Sequence, residues 1–134
     1  MAVEMTYEGD LRCRISHDLS GDEILTDAPP EREGRGAGFS PTDLLAASLG
    51  SCILSVMAIA ARVQKAPFEG ATAQVAKTMR DKPSRRVAAL DVTIRVPHAL
   101  PPLTRTKLER AAATCPVKHA LSKDVAVTVT FEWA

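Results

Sequence analysis

Two of the three cysteines in this 134-residue chain lie beside helical patterns. Cys52 is embedded in a long apolar run that follows the sequence SPTD at 40–43, and Cys115 precedes Pro116 at the end of a second helical pattern. A cysteine on an apolar helix is by default an inert small hydrophobic residue. Two such thiols, each beside a helix boundary, could instead form a redox pair.

A reactive thiol at Cys52 needs a nearby cation or hydrogen-bond donors, because a free cysteine has a pKa of about 8.5 and apolar burial raises it. Arg32 and Arg35 are candidate cations, since the Gly-rich loop that contains them could fold over a site. Asp43 precedes Cys52 by nine residues, so their side chains leave opposite sides of a straight helix. Asp43 could therefore orient an arginine without touching the thiol. The simpler interpretation is a solvated loop and a first-turn acid favoured by the helix dipole.

A metal site is the alternative for the cysteines. Cys13 and His17 share a C-x-x-x-H spacing with Cys115 and His119, and four such ligands could bind zinc. The spacing alone is weak evidence, and neither stretch has the form of a zinc knuckle. The sequence therefore predicts no metal and no cofactor, and it predicts that Cys13 lies on a strand without a chemical role.

The composition is that of an ordinary soluble globular protein, with 46% hydrophobic and 25% charged residues, and its length predicts a single domain over 1–134. A net charge of +1 and only 4% aromatic residues argue against a nucleic-acid partner. The scarcity of aromatic residues limits the area that the core can bury, which makes self-association plausible.

The chain is expected to be cytoplasmic, because its first residues have neither the basic nor the apolar region of a signal peptide. In that compartment three cysteines indicate reactive or inert thiols and not a disulfide framework. The apolar stretch 44–61 reaches membrane-spanning length, but its many small residues and polar flanks favour a core helix. No membrane association is therefore predicted.

The periodicities predict an α+β fold in the order β-β-β-α-β-β-α-β with a mostly antiparallel sheet. A helix from 41 to about 65 should be enclosed on most sides, because it is apolar nearly all round. A second helix over 103–114 should turn Leu103, Leu108 and 111–112 toward the core, and a helical turn should follow at 117–121. The strands are predicted at 3–7, 11–16, 23–26, 71–80, 87–96 and 125–133, with an extended loop at 27–39 and a hairpin turn at DKPSRR.

Three sequence features together resemble the OsmC/Ohr family, which comprises osmotically inducible protein C and the organic hydroperoxide resistance proteins. They are the motif SPTDLLAASLGSC, a Cys-Pro dipeptide whose cysteine lies 63 residues after Cys52, and a terminal Val-rich strand ending in FEW. The resemblance extends over nearly the whole chain, from the YEGDLRCRISH hairpin to Trp133. Within the family, the chain is more similar to the general OsmC-like branch than to Ohr proper.

The resemblance implies an intertwined homodimer, in which two long central helices pack together and N-terminal strands are shared. It also implies a thiol-dependent peroxidase without a cofactor, acting on organic or lipid hydroperoxides in oxidative-stress defence. Cys52 matches the peroxidatic cysteine, which becomes a sulfenic acid. Cys115 matches the resolving cysteine, which forms a disulfide that an external dithiol reduces.

The chain departs from the family pattern around the reactive cysteine. Family members of established activity pair that cysteine with an arginine and a glutamate at the helix start, where this chain has Asp43 preceded by Thr42. Arg35 is the first candidate for the arginine and Arg32 the second; two hairpin arginines, at positions 12 and 14, are further possibilities. A non-catalytic OsmC-like protein that binds a small apolar molecule is the alternative function.

Overall fold

The computed structural model describes residues 2–134. They form two compact units, one ending at Leu45 and the other comprising Ala46–Ala134. The order of elements confirms the predicted α+β fold. The predicted helical turn at 117–121 is a short helix, and a 3-10 helix (Pro30–Arg32) lies within the predicted loop. In chain order the elements are β1 (Val3–Gly9), β2 (Arg12–His17), β3 (Glu23–Asp27), α1 (Pro41–Val63), β4 (Thr72–Arg80), β5 (Arg86–Val96), α2 (Pro102–Ala112), α3 (Pro116–Ala120) and β6 (Ala126–Trp133).

The first unit contains an antiparallel sheet in the order β1-β2-β3. Residues paired across antiparallel strands share a face, and the pairing places Met5, Ile15 and Ile24 on one face. On β1 that face is apolar yet exposed to solvent. The other face carries Arg14, which lies 3.1 Å from a Glu8 carboxylate oxygen and 3.6 Å from one of Glu23. The exposed apolar side chains of β1 thus lie on the opposite side of the sheet from the ion pairs of Arg14. We define the apolar sheet face as Val3, Met5, Tyr7, Ile15 and Ile24.

Helix α1 begins with a reciprocal capping box, as the sequence SPTD favours. The backbone N–H of Asp43 donates to Ser40 Oγ at 3.1 Å, and the backbone N–H of Ser40 donates to Asp43 Oδ2 at 3.0 Å. Two amide groups that the helix itself leaves unsatisfied are bonded in this way. The start of the helix is therefore fixed at Pro41.

The prediction that α1 is enclosed on most sides is wrong for the single chain. Only 33% of the residues in its most apolar 18-residue stretch are buried. Positions spaced by four residues line one face of a helix, and such a row is exposed along α1. By length and composition α1 could also cross a membrane, although the core helices of soluble proteins meet the same criterion. We define the exposed α1 face as Ala47, Ser51, Ser55, Ile59 and Val63.

The second unit contains a sheet in the order β4-β5-β6. Strands β4 and β5 form the predicted antiparallel hairpin, whereas β5 and β6 are parallel because α2 and α3 carry the chain back between them. The inward side chains of β5 alternate at Leu90, Val92, Ile94 and Val96, all buried. This layer forms the core of the unit together with the buried residues of α1: Leu49, Ile53 and Met57.

Helix α2 contributes Leu108 and Ala112 to this core, as predicted. The inward placement of Leu103 is wrong, because its side chain is 67% exposed. Five residues separate Leu103 from Leu108, a rotation of about 140° around a helix. The two leucines therefore lie on opposite sides of α2, and only one can face the sheet.

Candidate active site

The structure brings the thiols of Cys52 and Cys115 close enough to interact. Cys52 lies midway along α1, and Cys115 lies between α2 and α3; the neighbouring Cys52 thiol is one of the causes that raise the pKa of Cys115. Both thiols are free, with Cys115 fully buried and Cys52 half-buried. The spacing of 63 residues in sequence does not determine the distance between the two thiols. The position of α1 relative to the α2–α3 connection brings them together.

The turn between α2 and α3 fixes the position of Cys115. Its backbone N–H donates to the Ala112 carbonyl at 3.3 Å, and Pro116 then opens α3. Proline suits this first helical position because its missing N–H would have no partner within the helix. The Cys115 sulfur caps α3 by accepting a hydrogen bond from the Lys118 backbone N–H at 3.5 Å. The Cys-Pro dipeptide thus directs the thiol inward.

Close packing of α1 against β4 positions the segment that carries Cys52. A Cβ atom added to Gly50 would lie 3.0 Å from Val75 Cγ2 and 3.5 Å from Ala73 Cβ. Glycine therefore lets the helix approach the sheet more closely than a larger residue would. Ile53 is fully buried next to Cys52 in sequence, so Cys52 lies at the margin of the packed helix face.

The surroundings of Cys115 favour its protonated form. Burial raises the pKa of Cys115, and although the Lys118 N–H opposes this, the hydrogen bond with Cys52 raises the pKa further. Cys115 therefore keeps its proton at neutral pH. Because the thiolate is the nucleophile of cysteine chemistry, the half-buried Cys52 is the better placed of the two for attack on a substrate.

We expect iodoacetamide at pH 7 to alkylate Cys52 at least about tenfold faster than Cys115. The reason is that Cys115 is both inaccessible and protonated, and alkylation requires an accessible thiolate. Time-resolved peptide mass spectrometry of the reduced protein would measure both rates. A faster reaction at Cys115 would contradict this assignment. Because burial raises the pKa of Cys115, this thiol should become reactive only at more alkaline pH.

The alternative of a zinc site receives no support from the geometry. Cys13 and His17 lie four residues apart on β2, a separation of about 13 Å along a strand. The two side chains are therefore too far apart to bind one ion. Among residues 2–134 no group of three or more histidine, cysteine or acidic side chains is placed to hold a metal.

The predicted arginines and Asp43 belong to the first unit, whereas Cys52 belongs to the second. Helix α1 begins in the first unit and continues into the second. Arg32 ends the 3-10 helix, and Arg35 is exposed on the following segment. Asp43 takes part in the capping box, so it has at least the structural role of a first-turn acid. The roles of these residues toward Cys52 stay predictions.

Asp27 is a residue that the sequence analysis placed in a loop and gave no role. It is the last residue of β3, it is only 1% exposed, and its carboxylate accepts hydrogen bonds from the loop that carries Arg35. An aspartate directly before a Pro- and Gly-rich segment is a signal that could have identified it, because aspartate side chains commonly accept bonds from nearby backbone amides.

Comparisons with known proteins agree with this fold. The sequence profile of the OsmC-like protein family matches residues 34–130. Comparison with curated proteins finds no match. The chain is 39% identical to a Psychrobacter arcticus protein assigned to osmotic stress induction and the detoxification response, over 98% of this chain and 96% of that one, with a TM-score of 0.93.

Two more distant structures share the fold. An OsmC-like protein from Mycoplasma pneumoniae is 14% identical, with a TM-score of 0.85 over 99% of this chain and 96% of that one. An organic hydroperoxide resistance protein OsmC from Legionella pneumophila is 18% identical, with a TM-score of 0.73 over 98% and 97% of the two chains.

Proposed function

Because the chain belongs to the OsmC-like protein family, we propose that it is a thiol-dependent peroxidase that reduces organic hydroperoxides to alcohols. The observation that carries the proposal is that the Cys52 and Cys115 thiols, on α1 and at the α2–α3 turn, lie close enough to interact. Family membership supports a general role in peroxide resistance, and the thiol pair supplies a specific mechanism for it. A fold alone would not, since one fold serves many functions.

The proposed reaction has three steps. The Cys52 thiolate attacks the terminal oxygen of the hydroperoxide, so the O–O bond breaks, the alkoxide leaves and takes a proton, and Cys52 becomes a sulfenic acid. The Cys115 thiol then displaces the sulfenic hydroxyl as water and forms a disulfide. An external dithiol reduces this disulfide by exchange and is itself oxidised. No cofactor takes part.

The positions of the two cysteines favour Cys52 as the thiol that reacts with the hydroperoxide and Cys115 as the thiol that then forms the disulfide. Cys52 is the more accessible of the pair, whereas Cys115 is buried and holds its proton. A resolving thiol near Cys52 would shorten the lifetime of a sulfenic acid there, which would protect it from further oxidation. In this proposal Arg35, or else Arg32, supplies the positive charge that favours the thiolate, and Asp43 orients the arginine.

The proposed substrates are organic or lipid hydroperoxides in preference to hydrogen peroxide. Helix α1 carries no charged side chain between positions 44 and 61, on either side of Cys52, which favours a substrate with an apolar group. The Legionella pneumophila protein is named for organic hydroperoxide resistance, which agrees with this substrate class. The protein would act in the cytoplasm, without a nucleic-acid or membrane partner.

The test is a titration of the reduced protein with cumene hydroperoxide, followed by intact mass and peptide mapping. One equivalent of peroxide should remove two hydrogens and produce a Cys52–Cys115 disulfide. Oxidation no faster than that of a free thiol would refute the peroxidase proposal. A co-purified apolar ligand, seen by native mass spectrometry without peroxide consumption, would instead support a binding protein.

The proposed active form is a homodimer. Each unit presents exposed apolar side chains to solvent, on the exposed α1 face in the second unit, where small residues precede Ile59 and Val63, and on the apolar sheet face in the first. Small residues in the first half of the exposed α1 face would allow a second helix to approach closely. Large exposed apolar patches on a folded chain indicate association surfaces, and two copies of the chain could cover them.

A further inference from the structure

Helix α1 ends at a lysine whose backbone conformation favours glycine. Lys65 has a φ of 53°, in the left-handed region where a Cβ atom is unfavourable. The Lys65 N–H donates to the Arg62 carbonyl at 3.1 Å, and the Ala66 N–H donates to the Ala61 carbonyl at 2.9 Å. This is the Schellman arrangement, in which glycine is the usual left-handed residue. The chain therefore keeps a lysine side chain at this position at a cost in stability.

A cavity of about 380 Å³ lies beside this helix end, and its volume is in the range of small-molecule sites. We define the α1-end cavity by three apolar residues, Ala58, Ala61 and Phe68, and three charged residues, Arg62, Lys65 and Glu69. All six belong to the second unit, and none belongs to the exposed α1 face. The cavity is separate from the thiol pair, because ten residues of helix between positions 52 and 62 span about 15 Å.

The cations of the α1-end cavity are not neutralised by the chain itself. Arg62 and Lys65 are exposed, and neither forms an ion pair with an acidic side chain within residues 2–134. Glu69 lines the same cavity, but its carboxylate accepts a hydrogen bond from the Phe68 N–H at 3.3 Å. Its own N–H and that of Phe68 are the main causes that lower the pKa of Glu69, and the Arg62 charge contributes less. Two cations and one carboxylate leave one positive charge in excess.

From these features we propose that the α1-end cavity binds a small organic anion, a carboxylate that carries an apolar chain or ring. Arg62 and Lys65 hold the carboxylate, while the apolar part contacts Ala58, Ala61 and Phe68. Cations in the last turn are also favoured by the helix dipole. That dipole accounts for the charge of Lys65 but not for its left-handed backbone, and strain of this kind is kept at functional sites.

The experiment is isothermal titration calorimetry of the full chain with three probes. Sodium hexanoate carries both the charge and the apolar chain, 1-hexanol lacks the charge, and sodium acetate lacks the chain. Hexanoate should bind with a Kd of about 1 mM or below. The other two probes should bind at least about tenfold more weakly, because each keeps only part of the interaction.

Two variants remove one cation each. Lys65→Gly should raise the Kd for hexanoate at least about fivefold without lowering the thermal midpoint, because glycine relieves the left-handed backbone. Arg62→Gln should raise the Kd by a similar factor. Arg110→Gln is the matched control, since Arg110 is the exposed last-turn cation of α2, and it should leave the Kd within about twofold of the wild type.

Several outcomes would overturn the inference. The first is a wild-type protein that does not bind hexanoate. The second is equal binding of 1-hexanol, which would mean that the cations take no part. The third is a Kd that Lys65→Gly and Arg62→Gln leave unchanged or that Arg110→Gln raises equally, which would place hexanoate elsewhere on the chain. Binding does not depend on peroxide consumption, so a failed peroxidase test would leave these measurements decisive.

Discussion

Substitution of Cys52 by serine is expected to lower consumption of cumene hydroperoxide at least about a thousandfold, because a serine hydroxyl is not ionised at neutral pH and cannot replace a thiolate nucleophile. The effect should be larger than that of any other single substitution. Peroxide consumption with dithiothreitol as the dithiol reductant would measure it. Retention of full activity by Cys52→Ser would refute the mechanism.

Cys115→Ser should give a different result, since Cys115 acts after the first oxidation. The first equivalent of peroxide should still be consumed at about the wild-type rate, while turnover through the intramolecular disulfide is lost. Intact mass should then show one added oxygen on Cys52, followed by two or three at higher peroxide concentration. Cys13→Ser is the matched control, because this cysteine lies on β2 in the first unit, and it should leave turnover unchanged.

Ile59→Asp is expected to produce the second large effect, the loss of the homodimer. Ile59 is 63% exposed on the second half of the exposed α1 face. In the proposed dimer this side chain would be covered, and burying an unpaired carboxylate there would be strongly unfavourable. The dissociation constant should rise at least about thirtyfold, which corresponds to about 2 kcal/mol. Sedimentation equilibrium would measure it.

Leu103→Asp is the matched control for this substitution. Leu103 is 67% exposed, nearly as much as Ile59, but it lies in the first turn of α2, where an acidic residue is favoured by the helix dipole. The control should therefore stay dimeric and stable. Equal effects of the two substitutions, or a wild-type protein that sediments as a single chain, would contradict the proposed interface.

The sequence by itself predicted the elements and their order well. The alternation of Val92, Ile94 and Val96 and the SPTD cap of α1 are local signals, because periodicity and capping depend on residues a few positions apart. It also identified Cys52 and Cys115 as candidates from their motifs. It placed Leu103 wrongly because inward faces depend on the rotation of a helix against its neighbours.

Contacts between residues far apart in sequence required the tertiary structure. The proximity of Cys52 and Cys115 depends on how α1 lies relative to the α2–α3 turn, which no local pattern specifies. Asp27 directly precedes a Pro- and Gly-rich segment, so the sequence suggests a loop residue there. Its burial follows from the way the segment 35–39 folds back on β3. The sequence alone thus determined the local elements and the identity of the thiols. Tertiary packing decided which groups meet, because such contacts depend on the summed geometry of every element between them.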